Sequence, residues 1–482
     1  MRKIVRAGGG AVKQGGGVSR RDFVKLAVTA GMVAPLFVPA RLLRGQTAPS
    51  NRIRVGQIGA GRIATSHDIP GVLKAGLADY VAVCDLDSRR APAGKAFIQK
   101  NRTGAGPAPD MAVLADYKEL LARKDIDAVV ISLPDHQHAE VALAACRAKK
   151  DIYLQKPFTM THEEGVILRD AIGKSGIIFQ VGSQQRSWTG NAQYQDQFRK
   201  ACMLVRNGRV GVLKAVEIGL PTDPTQPDPP EMPVPANLDY ERWLGPTAKV
   251  YYTEDRVHSQ KMTGGSPDVS SRPGWLRNES YCLGMITGWG AHHFDTAHWG
   301  MDMELTGPSK VEGKGEFPTN KVWNVHGAYH IELTYPKGIK MTVSDKLQNG
   351  IKFIGDEGWI FVGRESGVTP SDPMVPAGLK PLDASAAKLL DMNGLKIELP
   401  YSAEHHLNWL QAVASRKPTN VAPAPVAHRA TAACIVAWIA MKLGRPLTWD
   451  PVKEQFVNDA EANGMLSRPE RAGYGAVRLS KT

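Results

Sequence analysis

Cysteine is scarce in this sequence, and its spacing excludes one class of architecture. Five cysteines occur among 482 residues, and no two of them form a C-x-x-C pair. An odd number without such pairs argues against a full disulfide framework of the kind that stabilises small secreted domains. We therefore expect most of them to be buried thiols, namely Cys84, Cys146, Cys202, Cys282 and Cys434.

Long runs of lysine and arginine interleaved with aromatic residues are also absent from the main body of the chain. The net charge is +13, but residues 1–48 hold nine Lys/Arg and one acid, so +8 of it lies there. Because the rest of the chain carries only +5, no nucleic-acid partner is expected. The 43% hydrophobic content over this length is enough for a large core and two domains.

The N-terminal apolar run, residues 26–40, is too short and too rich in Gly, Ala and Pro to span a bilayer stably. Just before it stands Ser19-Arg-Arg-Asp-Phe-Val-Lys25, which resembles a twin-arginine export signal. The sequence therefore predicts a folded protein exported to the periplasm, with cleavage after Ala40 or Ala48 and no stable membrane span afterwards. A retained membrane anchor is the alternative.

A glycine-rich turn follows the first strand of the main chain, between Arg52 and Ala64. Gly59 permits a tight turn, Gly61 lets the backbone approach a pyrophosphate, and the small Ala64 lets the next helix pack closely. The N-terminus of that helix offers free N–H groups to phosphates. This G-x-G-x-x-A pattern predicts a dinucleotide-binding turn.

A second strand, from Tyr80 to Asp85, ends in an acid 26 residues after Gly59. A carboxylate at that place accepts a hydrogen bond from a ribose 2′-hydroxyl and repels a 2′-phosphate. NAD is therefore predicted over NADP, although Arg89 and Arg90 nearby weaken the discrimination.

Strands and helices alternate through the rest of the first half, which is typical of a doubly wound parallel sheet. A capping box, Thr161-His-Glu-Glu164, predicts the start of one of the helices. The predicted strands are 127–134, 151–155 and 177–181, and the predicted helices are 138–149 and 161–174. The second half predicts strands 325–335, 339–344, 351–355 and 359–362 and helices 403–416 and 427–443.

Together these motifs resemble the glucose–fructose oxidoreductase/inositol dehydrogenase family, often called Gfo/Idh/MocA, over residues 50–450. The resemblance is carried by the glycine-rich turn, Leu133-Pro-Asp-His-Gln-His138, Lys156-Pro157 after the fifth strand, and His292-x-x-Asp295. It implies a two-domain NAD(P) oxidoreductase acting mostly on sugars and cyclitols. It also implies a second α+β domain whose open mixed sheet covers the nicotinamide and packs subunits into dimers or tetramers.

The resemblance makes Lys156 a catalytic residue. A lysine at the carboxyl end of a parallel strand lies where such sheets bind ligands, and a nearby cationic nicotinamide should lower the pKa of its ammonium group. Such a lysine can take or relay a hydroxyl proton. Gln155 stands where the family has Glu, which removes a charge beside Lys156.

The stretch from Gly288 to Trp299 carries the second catalytic prediction. If a helix begins near Gly290, His292 and Asp295 share one face, and His293 points about 100° away. The resemblance makes His292 the catalytic base, a role that a neutral imidazole can perform. His293 and His298 are predicted to pack or to form hydrogen bonds.

Gly288 is a departure from the family, whose members commonly carry Asp four residues before this histidine. Either Lys156 and His292 suffice for catalysis without this aspartate, or another residue substitutes for it, or the reaction differs. Two histidines and an acid could also suggest a metal, but their spacing matches no H-E-x-x-H-type site and the family dehydrogenases need none. No metal is therefore predicted.

The remaining site predictions form two sets. The predicted cofactor-binding residues are Gly59, Gly61, Arg62, Ile63, Asp85, Leu133, Pro134, His138, Gln155 and Lys156. The predicted substrate-binding residues, whose amide, guanidinium, carboxylate and indole groups suit a sugar, are Gln184, Arg186, Trp275, Arg277 and Asp295.

Four segments follow from these patterns. They are a signal and linker over 1–48, a Rossmann domain over 49–182, a substrate and oligomerisation domain over 183–450, and a surface segment over 451–482. The proline-rich stretch 221–235 is predicted to form a long loop or arm, with a subunit contact as one possible role.

The primary functional hypothesis is a periplasmic, NAD-dependent oxidoreductase acting on a sugar or glycoside hydroxyl. A redox-neutral glycosidase or epimerase that passes through a transient keto-sugar is the second hypothesis. A sugar-binding relative whose catalysis has decayed is the third.

Overall fold

Apolar strands in the first half of the chain form one sheet in the computed structural model, which describes residues 52–102, 110–187, 196–364 and 380–481. The predicted export signal lies outside the described residues. The strands of this sheet are β1 Ile53–Ile58, β2 Ala78–Cys84, β3 Ala112–Leu114, β4 Ala128–Ile131, β5 Asp151–Leu154 and β6 Phe179–Val181.

These six strands are all parallel and lie in the order β3-β2-β1-β4-β5-β6. The strand order reverses between β1 and β4, and an open sheet of this type binds ligands in the crevice at that place. The helices of this half are α1 Ile69–Ala75, α2 Arg90–Asn101, α3 Tyr117–Ala122, α4 His138–Arg147 and α5 His162–Ser175. The predicted doubly wound Rossmann fold is confirmed.

A nine-stranded mixed sheet forms the centre of the second half. Its order is β15-β14-β13-β7-β12-β11-β10-β16-β17, and β7 pairs with β12 in parallel whereas the other neighbours are antiparallel. A separate hairpin pairs β8 with β9. The strands are β7 Leu213–Gly219, β8 Met262–Thr263, β9 Ser266–Pro267, β10 Lys310–Gly315, β11 Tyr329–Thr334, β12 Lys340–Ser344, β13 Gly350–Gly355, β14 Gly358–Val362, β15 Leu382–Ala384, β16 Leu447–Asp450 and β17 Gln455–Phe456.

The helices of the second half include the two that cover this sheet. They are α6 Gln197–Arg206, α7 Tyr240–Leu244, α8 Met285–Gly288, α9 Gly290–Met301, α10 His405–Ser415, α11 Ala424–Leu443, α12 Ala460–Gly464 and α13 Ala476–Ser480. Helices α9 and α11 pack on one face of the sheet and form the largest core with it. The predicted α+β domain with an open mixed sheet is thereby confirmed.

Helix α11 is the one described helix long and apolar enough to cross a membrane by length and composition. Its mean hydropathy is 1.3 over the most apolar window, yet 78% of that window is buried within the protein. The core it shares with α9 and β10 accounts for this apolar surface.

Elements from beyond the predicted boundaries at 182 and 450 pack against the domains on the other side of those boundaries. Trp409 and Leu410 of α10 belong to the core of the nucleotide half, and α13 packs on α4 and α5. Strand β17 lies at the edge of the mixed sheet, where Phe456 is buried. Hydrophobic periodicity shows that a helix has an apolar face, but not which domain that face contacts.

The capping box at the N-terminus of α5 allows a test of how local sequence determines where a helix begins. The Thr161 hydroxyl accepts from the Glu164 N–H, and the Glu164 carboxylate accepts from the Thr161 N–H at 3.0 Å. We expect Thr161→Ala to lower the free energy of unfolding by about 1 kcal/mol, because the Glu164 N–H loses its side-chain acceptor while the bond from the Thr161 N–H to the Glu164 carboxylate remains. Urea denaturation measures this, with Thr161→Ser as the matched control that keeps the cap; equal losses in both variants would contradict the prediction.

Candidate active site

A cavity of about 790 Å³ lies at the carboxyl ends of the parallel strands, and residues of the second half of the chain line its other side. Ligand sites commonly have volumes of this size. Twelve of the predicted site residues line it, namely Gly59, Gly61, Arg62, Ile63, Asp85, Leu133, Pro134, Gln155, Lys156, Gln184, Trp275 and His292.

The glycine-rich turn fits close approach by a dinucleotide. Gly59 has φ +86°, and a Cβ there would lie 2.4 Å from the Ser132 carbonyl oxygen, so only glycine is accommodated. The chain then forms a short π-helix, Ala64–Asp68, before α1. Turns of this kind are rare and concentrate at functional sites, and this one directs Asp68 into the protein interior.

Asp85 lies directly after β2 and faces the same cavity. Its carboxylate accepts from the Ala60 N–H at 2.8 Å and from the Asp87 N–H at 2.9 Å, which fixes it against the glycine-rich turn. Each carboxylate oxygen keeps a second acceptor site, so a ribose hydroxyl can still be bound. The residues that line this end of the cavity therefore fit NAD.

Lys156 follows β5 and reaches across the cavity to the second half of the chain. Its Nζ donates to the carbonyl oxygen of Gly288 at 2.9 Å. Burial lowers the pKa of Lys156 below its ordinary value, and the charge of Asp135 opposes part of that shift. A neutral amine that can accept a proton is therefore accessible nearer to neutral pH than in a solvated lysine.

Asp135 is a cavity residue that the motif analysis quoted but did not assign. It is 3% exposed, and its Oδ2 forms no hydrogen bond with any described residue. Burial raises the pKa of Asp135 to about 7, against the opposing charge of Lys156. Its position shortly after β4, a strand that ends at the ligand crevice, could have identified it from the sequence as a site residue.

His292 lies on α9 with its ring in the cavity wall, 5% exposed. Burial, together with the charges of Arg364 and Lys156, lowers the pKa of His292 well below its ordinary value, so the imidazole is neutral. Its Nδ1 is buried and forms no hydrogen bond with the described residues. Because the neutral ring also lines the cavity, it is placed to accept a proton from a hydroxyl bound there.

The neighbouring histidines have structural partners, as helical phase predicts. His293 is fully buried with Nε2 3.0 Å from Oδ1 of Asn349, and His298 places Nε2 2.7 Å from the Tyr335 hydroxyl. Neither lines the cavity.

Arg186 and Asp295, which were predicted to bind substrate, are not among the residues that line the cavity. The Arg186 guanidinium is 2% exposed and donates to both oxygens of Asp295, at 2.6 and 2.9 Å. It also donates to Glu304 and stacks over the Trp299 ring. Because every polar group of this pair is used inside the protein, the pair fixes α9 to the loop after β6.

Two further predicted residues also lie away from the cavity. Arg277 stacks on Trp323 with its guanidinium 4.6 Å from the ring, instead of facing a sugar. His138 is fully buried, and its two ring nitrogens lie 2.7 Å from the Pro157 carbonyl oxygen and 2.9 Å from that of Leu133. It therefore holds the loop that carries Lys156 and does not contact the cofactor cavity.

Gln155 belongs to a buried polar network that the sequence did not reveal. Its Nε2 donates to Oδ1 of Asp68 at 2.7 Å, and Ser132 donates to Oδ2 at 2.6 Å. His406 lies between Asp68 (3.2 Å) and Glu404 (3.0 Å). Burial alone would lower the pKa of His406, but these two carboxylates raise it to about 9.

Two groups of side chains among the described residues have the composition of a metal site, and neither contains His292. One is His67, Asp68 and His406, and the other is His162, His428 and Glu454. In the second group the Glu454 carboxylate already pairs with Arg169 and Arg429.

Family models match two parts of the chain. Residues 53–183 match the Gfo/Idh/MocA oxidoreductase family with its NAD-binding Rossmann fold, and residues 225–476 match its C-terminal alpha/beta domain. The chain belongs to the Gfo/Idh/MocA oxidoreductase family.

Curated relatives of this Gfo/Idh/MocA protein match over part of their length. The uncharacterized oxidoreductase YrbE of Bacillus subtilis is 29% identical over 196 residues, which are 41% of this chain and 49% of that protein. A glycosyl hydrolase family 109 protein of Shewanella sp. is 32% identical over 170 residues, 30% of this chain and 35% of that protein. The matched regions thus span half or less of these relatives.

Solved structures share the fold along nearly their whole length. The aldose-aldose oxidoreductase of Caulobacter crescentus, complexed with glycerol, has a TM-score of 0.57 at 14% identity, covering 82% of this chain and 99% of its own. The WlbA dehydrogenase of Bordetella pertussis, in complex with NADH and UDP-GlcNAcA, has a TM-score of 0.55 at 16% identity, covering 83% and 99%.

Position 288 allows a test of how a charge beside Lys156 affects its pKa, because Gly288 contacts Lys156 and carries no charged side chain. A Cβ there would meet no atom within 4 Å, so a side chain fits. We expect Gly288→Asp to raise the pKa of Lys156, because a nearby carboxylate favours the ammonium form. Acetylation of Lys156 across pH, quantified by peptide mass spectrometry, measures that pKa. Gly288→Asn is the uncharged control, and identical titration midpoints in the two variants would contradict the expectation.

Proposed function

We propose that this protein is an NAD-dependent oxidoreductase acting on a hydroxyl group of a sugar or glycoside. The observation that supports it most is the meeting of Lys156 and His292 in one cavity with the glycine-rich turn. These two groups come from different halves of the chain, and burial lowers the pKa of both. Two proteins of the same fold are an aldose-aldose oxidoreductase and a dehydrogenase bound to NADH and a nucleotide sugar.

The proposed chemistry needs one proton acceptor at the substrate hydroxyl. NAD supplies the hydride acceptor when it is bound. As the carbon–hydrogen bond breaks and the pair of electrons leaves as hydride, the hydroxyl proton moves to neutral His292, and the C–O bond becomes a carbonyl. Lys156, held by the Gly288 carbonyl, donates a hydrogen bond to the same oxygen and can relay its proton.

Asp85 supports NAD over NADP. Its carboxylate lines the cavity beside the glycine-rich turn and would repel a 2′-phosphate. Arg90 also lines this end but donates to the Asp268 carbonyl oxygen and lies close to Asp85 and Asp87. NADP is therefore the less favoured cofactor.

The direct test is nucleotide analysis of the folded, purified protein, followed by incubation with a panel of sugars and glycosides. Release of NAD(H) on denaturation, with ketone formation from one or more substrates, would support the proposal. A protein that holds no nucleotide and does not bind added NAD(H) would exclude it. Sugar binding without turnover across the panel would favour a relative whose catalysis has decayed.

The two adjacent histidines give the sharpest mutational test. We expect His292→Ala to reduce turnover by about 10²–10⁴-fold while bound nucleotide remains, because it removes the base and not the cofactor pocket. His293→Ala, the matched control, should change stability and leave turnover nearly unchanged, since His293 bonds Asn349 away from the cavity. Steady-state kinetics and melting temperatures measure both. Equal loss of turnover at unchanged melting temperature would contradict the roles assigned to them.

Asp135 favours a second candidate, a redox-neutral glycosidase or epimerase. Oxidation of a sugar hydroxyl to a ketone, with the hydride passing to NAD, acidifies the neighbouring C–H. A base can then remove that proton as the anomeric group leaves; addition of water to the resulting double bond and return of the hydride to the ketone complete a hydrolysis. That cycle needs a further group able to give and take a proton, and Asp135 is a carboxyl group in the cavity wall whose pKa is raised by burial. The relative from Shewanella is a glycosyl hydrolase family 109 protein.

Product stoichiometry separates the two candidates. A dehydrogenase accumulates NADH or keto-sugar, whereas the glycosidase releases aglycone without net redox change. We expect Asp135→Asn to suppress aglycone release more than ketone formation, because only the elimination uses the additional acid. Parallel assays of ketone and aglycone measure this, and equal suppression of both would exclude the additional-acid role.

We also propose export through the twin-arginine pathway and assembly into a homo-oligomer. The motif Ser19-Arg-Arg-Asp-Phe-Val-Lys25 supports the first. Outward-facing side chains of β10 and β11, such as Lys310, Glu312 and His330, leave a sheet face for a second subunit and support the second. Replacement of Arg20 and Arg21 by Lys should retain the protein in the cytoplasm, as cell fractionation would show. Light scattering of the purified protein tests the assembly.

A further inference from the structure

Positively charged side chains surround the part of the cavity that holds Lys156. Arg62, Arg272 and Arg364 line the same cavity. Burial lowers the pKa of Lys156, Asp135 opposes that shift, and the charges of the three arginines lower the pKa further. The three guanidinium groups therefore lie within electrostatic range of the Lys156 ammonium group. Two of them, Arg272 and Arg364, belong to the half of the chain that would hold the substrate.

Arg364 lies beside helix α9, which carries His292. It follows β14, and its guanidinium carbon is 4.6 Å from the ring centroid of Trp289, another residue that lines the cavity. The Trp289 ring meets the His292 ring edge-on, with 6.0 Å between the ring centroids. After burial, the charge of Arg364 is the next cause of the lowered pKa of His292. Arg364 thus lies near both groups that handle the substrate's proton.

Arg272 contributes a second charge, from the loop between β9 and α8. Its Nη2 donates to Oδ1 of Asp223 at 2.7 Å, and its Nε forms no hydrogen bond with the described residues. Asp223 is buried and is not among the residues that line the cavity. Arg277 lies 3.9 Å from the same Asp223 oxygen. Because two arginines share one carboxylate, a net positive charge remains on this side of the cavity.

Acidic side chains do not balance these charges. Among the described residues that line the cavity, the acids are Asp85, Asp135 and Glu404. Asp85 accepts from the backbone of the glycine-rich turn, and Glu404 pairs with His406. Asp135 is therefore the one acid of the described cavity that acts directly on Lys156. The reaction centre has more positive than negative groups.

Gly288 leaves open space beside Lys156, where a charged group of a ligand can lie. Its carbonyl oxygen accepts from Nζ of Lys156 at 2.9 Å, and a Cβ at this position would meet no atom of another part of the protein within 4 Å. The residue before Lys156 is a glutamine and adds no negative charge. A buried cation is costly without a counter-charge, so an anion in this space would be stabilised.

NAD does not supply that anion. Its two phosphates would bind at the glycine-rich turn and the helix that follows, where Arg62 also lies. Its oxidised nicotinamide ring carries a positive charge and would add to the excess at the reaction centre. The substrate is the remaining source of a negative charge.

We propose that the substrate is an acidic sugar, a uronic acid or its glycoside, whose carboxylate binds beside Lys156, Arg272 and Arg364. The inference rests on the proposed oxidoreductase function and names its substrate class. Guanidinium groups bind carboxylates through two parallel N–H bonds, and an ammonium group adds a point charge. The carboxylate of a uronic acid is attached directly to the sugar ring, so it can reach cations that surround the reacting hydroxyl. A phosphate ester on the exocyclic carbon would be held further from the ring.

Matched pairs of sugars test this through binding, without turnover. The protein is loaded with NADH, which cannot accept a hydride from an alcohol. Isothermal titration calorimetry then compares methyl glycosides with the methyl uronosides of the same ring, in the gluco, galacto and manno series. We expect at least one uronoside to bind about tenfold or more tightly than its neutral partner, because only the carboxylate accepts charge-assisted bonds. Added salt should weaken binding of that uronoside and leave its neutral partner nearly unchanged.

Two substitutions locate the carboxylate. Arg364→Gln and Arg272→Gln should each weaken binding of the uronoside by about tenfold or more and change binding of the neutral glycoside by less than about twofold. Arg206→Gln is the matched control and should change neither. The Arg206 side chain is 17% exposed against 16% for Arg272, and it also pairs with an aspartate but does not line the cavity. Circular dichroism checks that all variants are folded.

The outcomes separate this inference from the proposed function. Uronosides that bind no more tightly than their neutral partners, or arginine variants that weaken both members of a pair equally, would overturn the inference while NAD-dependent oxidation of a sugar stands. Methyl glycoside 6-phosphates complete each series, and a phosphate that binds more tightly than the uronoside would overturn the assignment to a carboxylate. A protein that cannot be loaded with NAD or NADH would overturn the proposed function and this inference together.

Discussion

The buried carboxylate of Asp68 is the interaction on which both halves of the site depend. It accepts hydrogen bonds from the loops after β4 and β5, through Ser132 and Gln155, and from His406 on α10. A fully buried charge is costly unless it is paired and hydrogen-bonded, so all three partners are needed together. His406 remains charged because Asp68 and Glu404 flank it, and its positive charge is what makes a buried Asp68 tolerable.

This arrangement explains why Gln155 is compatible with the site. Its amide donates to Asp68 and its oxygen accepts from the Lys156 N–H at 3.3 Å, so one side chain serves an acceptor and a donor at once. A glutamate there would place a second carboxylate 2.7 Å from Asp68 with no proton between them. A carboxylate therefore lies beside position 155 after all, but it belongs to Asp68, which accepts the hydrogen bond from Gln155.

Sequence alone predicted the parts of the site that local pattern determines. The glycine-rich turn, the lysine after β5 and the phase of His292 against His293 follow from strand ends and helical geometry. The network around Asp68 could not be predicted, because His406 lies 338 residues away and only the fold brings the two together. Arg186 and Asp295 have side chains suited to a sugar, but burial decides their role, and burial of an ion pair is invisible in the spacing of two residues.

Backbone pairing between the loop after β2 and residues 237–239 has a consequence for assembly. The Ser88 N–H donates to the Asn237 carbonyl oxygen at 2.8 Å, and the Asp239 N–H donates to that of Leu86 at 3.0 Å. The paired positions lie about 150 residues apart, so this part of the cavity forms only when the two halves of the chain meet. A nucleotide half expressed alone would therefore lack the part of the cavity wall that Trp243 and His258 supply.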